Sequence, residues 1–224
     1  TELRIANDAI TVLTNASNDS VQCLTFDDLY GLVGPESEGV KTWSEATAKG
    51  ATSKLPDAPL EIFAPGTESG TYDSFYELAI KDIADERGIP EDAQIRPDYG
   101  GLANDNEIIS GLQSVDSSFG WVGFAFAEEA TGVREIEVDG GEGCVAPSAE
   151  TVADGTYPLA RPLFIYVNNE KLADNAALSD FVDFYLSDEG MAAVPEVGYV
   201  PLTDADLEAT RTTWTQAKAG APKS

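Results

Sequence analysis

One stretch, residues 60–90 (LEIFAPGTESGTYDSFYELAIKDIADERGIP), constrains the fold more than any other part of the chain. It reads as a short apolar strand, a turn of Gly, Ser and Thr, and an amphipathic helix whose first residues are Ser69, Gly70 and Thr71. Tyr72, Phe75, Tyr76, Ala79, Ile80 and Ile83 recur at the i, i+3, i+4, i+7 spacing, which paints one apolar face. Such a face must be covered, so the strand and the helix belong to a layered α/β body. Asp73 and Glu77 sit near the positive end of the helix, and Gly88 and Pro90 supply its stop. Either Ser69 or Thr71 serves as N-cap.

A helix start leaves backbone N–H groups without intrahelical acceptors, and the helix dipole places partial positive charge there. Two hydroxyls and a glycine at that point let a tetrahedral oxyanion rest on the backbone. The alternative is that the tripeptide is a cap and turn and nothing more.

The rest of the chain alternates between strand and helix patterns. Residues 2–15 (ELRIANDAITVLTN) form an apolar, β-branched strand. Residues 23–34 (CLTFDDLYGLVG) read as a short helix entered through Thr25, Phe26, Asp27 and Asp28 and closed by Gly34, and Trp43 marks a loop edge where it packs. A helix over 106–115 precedes a strand at 119–122, where glycines alternate with bulky residues as they do where backbones pass closely. A short helix, an alternating strand and a DGG turn follow, then an apolar strand at 161–168. Leu178, Phe181, Val182 and Tyr185 line one face of the next helix, Gly190 closes or kinks it, and 198–202 are extended. A terminal helix over 204–217 docks through Trp214. This order argues for an α/β fold with a mainly parallel sheet.

Charge and composition narrow the function classes. Lys and Arg total 13 against 40 acidic residues, His is absent, and the formal net charge is −27. That balance disfavours binding to nucleic acid through its phosphates, and the scattered carboxylates describe a solvated surface. Without His, neither a Ser-His-Asp nor a Cys-His arrangement can be built, and Ser69 is not in a G-x-S-x-G elbow. No carboxylate pair is marked by its spacing, so no catalytic residue is assigned; nothing has the pattern of a zinc site, and neither metal nor cofactor is expected. No apolar run approaches the roughly 18 residues of a membrane span. The two cysteines, Cys23 and Cys144, fit either one disulfide in an oxidising compartment or two buried thiols. The opening TELRIANDAI is not a signal peptide, so a leader was removed or the sequence begins inside a longer gene.

Taken in order, the strings CLTFDDLY, TWSEA, APGTESGTYDSF, FGWVGFAFAEE, ETVADGTYPLARPLFIYV and LSDEGMAAVPEVGYVPL resemble the phosphate-binding proteins of the phosphate ABC transporter, the PstS family. The resemblance implies a periplasmic-binding-protein-like (type II) α/β fold of two lobes, with mixed sheets flanked by helices. It implies an extracytoplasmic receptor, free in the periplasm or held at the cell surface by a lipid anchor, that binds inorganic phosphate, performs no chemistry and delivers its ligand to a membrane permease. Ser69, Gly70 and Thr71 match the family's phosphate-binding segment, and the resemblance also favours the Cys23–Cys144 disulfide. One branch of the family carries an arginine four residues before the serine, where this chain has Pro65. Arg161 is then a candidate cation, with Glu68 and Asp105 as further candidate contributors at the ligand. In the family a segment with a second phosphate loop and a proton acceptor precedes the region matched here. One lobe is therefore expected to be incomplete, completed by a separate segment or chain. By this mapping residues 16–160 form the lobe carrying the turn, and residues 1–15 and 161–224 form hinge strands and part of the second lobe. Competing readings are a receptor for sulfate or molybdate and a phosphatase-like enzyme using Ser69.

Overall fold

The apolar opening run becomes a single strand, β1 (Glu2–Asn15), with Leu3, Ala6, Ala9, Ile10, Val12 and Leu13 buried along it. The computed structural model describes residues 1–90 and 92–220, which divide into two compact units. The larger unit holds Ile10–Thr151 with Thr156–Leu159; the smaller holds Thr1–Ala9, Val152–Gly155 and the residues from Ala160 onward. After β1 come β2 (Cys23–Thr25), α1 (Phe26–Val33), β3 (Glu61–Phe63), α2 (Gly70–Phe75), α3 (Lys81–Glu86), α4 (Asp105–Ser114), β4 (Ser118–Gly123) and α5 (Phe124–Glu129). Then follow β5 (Val133–Glu135), β6 (Glu137–Asp139), β7 (Cys144–Val145), α6 (Ala149–Ala153), β8 (Ala160–Tyr166), α7 (Asn169–Asp174), α8 (Ala176–Tyr185), α9 (Asp188–Met191), α10 (Ala193–Glu196) and α11 (Asp204–Gly220).

In the larger unit the sheet order is β3-β4-β1-β5. β3 runs parallel to β4, whereas β1 is antiparallel to both β4 and β5. A second sheet, β2-β6-β7, has one parallel and one antiparallel ladder. The sheets are therefore mixed, and the mainly parallel sheet expected from strand-helix alternation is corrected. That rule assumes each strand pairs with the next one along the chain. Here β1 passes over β2 and β3 and takes partners that lie over a hundred residues later, arriving in the opposite direction.

Helix α1 is set by a capping box: the Thr25 hydroxyl accepts the Asp28 N–H, and the Asp28 carboxylate accepts the Thr25 N–H. Trp43 is fully buried, donates its indole N–H to the Ser117 carbonyl at 2.9 Å, and meets Phe119 edge-on at 5.5 Å. Its packing role is as expected. Cys23 and Cys144 are joined, tying β2 to β7.

The helix after the Gly-Ser-Thr turn is not uniform. A π segment at Tyr76–Ile80 separates α2 from α3, with the Lys81 N–H reaching back to the Tyr76 carbonyl. Every expected apolar position except the half-buried Tyr76 and Ile83 is buried, and Gly88, at φ +71°, ends the run in the left-handed region.

In the smaller unit the first part of β1 pairs antiparallel with β8, from Glu2↔Tyr166 to Ala9↔Ala160. Leu3, Ala6, Val182, Leu186, Met191 and Trp214 build its core. Trp214 docks α11 as its position predicts, donating its indole N–H to Asp183 at 2.7 Å. The predicted face of α8 is buried at Val182, but Phe181 is 57% exposed. Gly190 lies inside α9, its N–H taken by the capping Ser187 hydroxyl, so a new short helix starts where a kink or stop was expected.

Candidate functional site

The Ser69-Gly70-Thr71 turn follows directly from β3. Ala64, Pro65 and Gly66 leave the strand buried, and Thr67 and Glu68 are exposed at the tip. The Ser69 N–H closes a tight turn on the Gly66 carbonyl at 3.1 Å. Ser69 is the N-cap, with extended backbone (φ −99°, ψ 130°), and its Oγ accepts the Thr71 N–H at 3.2 Å. Its carbonyl accepts the Asp73 N–H at 3.2 Å, and Ser74 Oγ donates to the Gly70 carbonyl at 2.6 Å. These bonds fix the first turn, and Gly70 remains exposed with open space where a Cβ would stand.

Electrostatically the turn is a donor site. Its hydroxyls and N–H groups are neutral, and the helix start adds partial positive charge. Asp73 within the first turn and Glu68 just before it are the opposing negative charges.

A cavity of about 510 Å³ opens beside the turn, lined by Thr67, Glu68, Tyr72, Gln94, Arg96 and Tyr99 among others. Arg96 is buried and fully engaged: two of its nitrogens grip Asp98, one of them at 2.7 Å, and Nη1 donates to the Leu32 carbonyl. The guanidinium holds the Asp98 carboxyl down at about 2, with a further hydrogen bond from the Gly39 N–H. Burial pushes the Tyr72 and Tyr99 phenols up, so both stay protonated. Sequence reasoning missed Arg96, Asp98 and Tyr99. Their string, RPDYGG, lies between two helices with no periodic signal, and only its paired glycines mark a tight passage.

Of the residues singled out from sequence, the structure brings Glu68, Ser69, Gly70 and Thr71 together as one turn. Asp105 is the first residue of α4, capped by Asn104, whose side chain accepts the Asn106 N–H. Burial raises its carboxyl, and no hydrogen bond or ion pair among the described residues links it to the turn. Arg161 lies in the smaller unit, where it forms a ladder pair with Asp8 and an ion pair to that carboxylate at 3.1 Å. Among the described residues the one grouping with metal-ligand spacing is Cys23, Glu137 and Cys144, and both of those sulfurs are committed to the disulfide.

Comparison with known proteins bears on the fold and the family. The family described as the PBP superfamily domain matches residues 1–189. The chain is 37% identical over 222 residues to Protein SphX of Synechocystis sp., covering 98% of this chain and 62% of that protein. It is 32% identical over 201 residues to the Phosphate-binding protein PstS of Staphylococcus epidermidis, covering 89% and 55% respectively. The chain thus spans somewhat more than half the length of these relatives. Among solved structures, a possible phosphate binding protein of Planctomyces limnophilus superposes with a TM-score of 0.81 at 31% identity, over 97% of this chain and 72% of that one. PstS of Borrelia burgdorferi shares the fold, with a TM-score of 0.70 at 23% identity, over 91% and 72%. Matched across most of its length by the family and by these proteins in sequence and fold, the chain belongs to the PBP superfamily, as kin of the SphX and PstS proteins.

Proposed function

We propose that this protein is, or is the larger part of, an extracytoplasmic solute-binding protein that takes inorganic phosphate at the Ser69-Gly70-Thr71 turn and passes it to an ABC transporter permease. The observation that carries the reading is the capped helix start. Ser69 Oγ uses a lone pair on the Thr71 N–H and keeps its own proton to donate, beside an exposed Gly70. Hydroxyl and backbone donors at a helix N-terminus suit a tetrahedral oxyanion. They do so without a cation, which fits a chain of charge −27 whose Arg161 is already engaged by Asp8 and whose Arg96 is engaged by Asp98. Relatives bearing the names of phosphate-binding proteins support the choice of ion.

No chemistry is part of this reading; the protein binds and releases. Ser69 Oγ has no histidine to activate it, since the chain contains none. The division into a phosphate-site lobe over 16–160 and a second lobe from 1–15 and 161–224 belongs to the same proposal, with ligand binding shifting their populations. So does completion of the shell by a further segment or chain.

The test is isothermal titration of phosphate into the purified chain, with sulfate as control, for the wild type and for Ser69→Ala. Heat from phosphate that is lost in the variant supports the assignment. Equal heat from sulfate points to a general oxyanion receptor. Phosphate heat that survives the substitution places the ion elsewhere.

A further inference from the structure

The turn is held from one side by a second chain segment that the family resemblance does not address. Its contacts fall on three successive residues leading into the turn. The Leu102 N–H donates to the Ala64 carbonyl at 3.0 Å, the Tyr99 hydroxyl donates to the Pro65 carbonyl at 2.8 Å, and Gly101 lies flat against Gly66. A Cβ built on Gly101 would stand 2.7 Å from the Gly66 Cα, so only glycine permits that approach. Gly66 in turn accepts the Ser69 N–H. The far end of the brace is equally fixed: the Tyr99 ring meets Trp121 edge-on at 6.0 Å, and Trp121 stacks on Phe75 at 4.2 Å. Phe75 closes the first helical segment after the turn. The segment therefore holds both the chain entering the turn and, through two aromatic rings, the helix leaving it.

We propose that Tyr99 and Gly101 are positioning residues that set the geometry of the Ser69-Gly70-Thr71 donors; the ligand they serve rests on the phosphate reading above. Donors grip an anion well only if their directions are fixed before it arrives, and a loop has little rigidity of its own. Pinning Ala64, Pro65 and Gly66 in sequence supplies that rigidity. Tyr99 is suited to the task because burial, with the nearby Tyr72 and Glu68, raises its phenol and keeps it a donor across the working pH range.

Two substitutions test this. Tyr99→Phe keeps the ring on Trp121 and removes only the bond to Pro65, and Gly101→Ala forces the two backbones apart. Amide resonances are recorded first without ligand, followed by phosphate titration and thermal unfolding. The expected result is displacement of the Ser69, Gly70 and Thr71 amide signals in both variants, along with those of the brace itself, and with signals away from residues 64–75, 99–102 and Trp121 unmoved. Phosphate affinity should fall about three- to tenfold in Tyr99→Phe, the factor one neutral hydrogen bond is worth. Turn amides that stay in place in both variants overturn the proposal, as does displacement spread evenly through the unit, which marks general destabilisation. A wild type that ignores phosphate overturns the choice of ligand, and the ligand-free amide signals then judge the brace by themselves.

Discussion

Ser69 Oγ stands 3.2 Å from the Thr71 nitrogen and accepts a hydrogen bond from its N–H, so one side chain starts the helix and keeps its own O–H as a donor. The two roles are separable because they use different parts of the hydroxyl. Replacing Ser69 by Ala removes both, and replacing it by Gly removes the donor while sparing most of the capping free energy. Ser69→Ala should cost about 1 kcal/mol of stability and Ser69→Gly only a few tenths. Both should weaken phosphate binding by tenfold or more. Denaturant titration beside calorimetry reads the two effects, and a Gly variant that binds like wild type would reduce the serine to a cap.

Asp28 organises a different region, and its acid behaviour is testable. Its carboxylate accepts N–H bonds from Thr25, Thr52 and Ser53 and the Ser53 hydroxyl. Burial alone would raise this carboxyl, but the bonds from Ser53 and Thr25 together outweigh it and leave it lowered. Asp98, held by Arg96, is lowered to about 2. A carboxyl lowered by folding binds fewer protons folded than unfolded, so stability rises with pH through that interval. Both contributions are fully present above the ordinary carboxylate range near pH 4 and drain away as pH falls below it, that of Asp98 toward about 2. Asp28→Asn should cost about 1–3 kcal/mol near neutral pH and flatten this acid limb, as read by unfolding at a series of pH values. An unchanged limb would show that the buried carboxylate is not its source.

The Cys23–Cys144 bond closes a loop of 121 residues in sequence separation. Constraining so long a loop in the unfolded chain is worth about 4–5 kcal/mol in the entropic account. Reduction, or Cys23→Ser with Cys144→Ser, should lower the unfolding midpoint markedly while leaving the Ser69 turn in place. A midpoint insensitive to reductant would contradict the bond's part in stability.

Gly120 lies against β3, where an added Cβ would sit 1.8 Å from the Phe63 carbonyl oxygen. Gly120→Ala should therefore destabilise by about 1–3 kcal/mol or more, because backbone rather than a flexible side chain must yield. Wild-type stability in this variant would mean that the β3–β4 ladder is looser than it looks.

That glycine was legible in the sequence: FGWVG alternates small and bulky residues, and the alternation marks the close passage of β3 and β4. The Ser69 turn, the helix entry through Thr25 to Asp28, the docking of Trp214 and the long β1 were legible too, because helix starts and periodic apolar faces are local signals, although the reciprocal Thr25–Asp28 capping box appears only in the structure. Strand direction was not. It depends on which distant segments β1 meets, and nothing in a 14-residue apolar run records its partners. The π segment at Tyr76–Ile80 also escaped, since it shifts the phase of the helix without disturbing which residues are apolar. At the site, the donors of the turn could be read, while Tyr99 and Gly101 could not. They act through contacts made 34 or 35 residues away along the chain, and only the fold brings them to Pro65 and Gly66.

The most direct test of the phosphate assignment is the amide spectrum of the wild-type chain during titration with phosphate and, separately, with sulfate. The account predicts saturable phosphate-dependent shifts led by Ser69, Gly70 and Thr71, with sulfate far weaker. Shifts that leave these three amides untouched while others respond would contradict it.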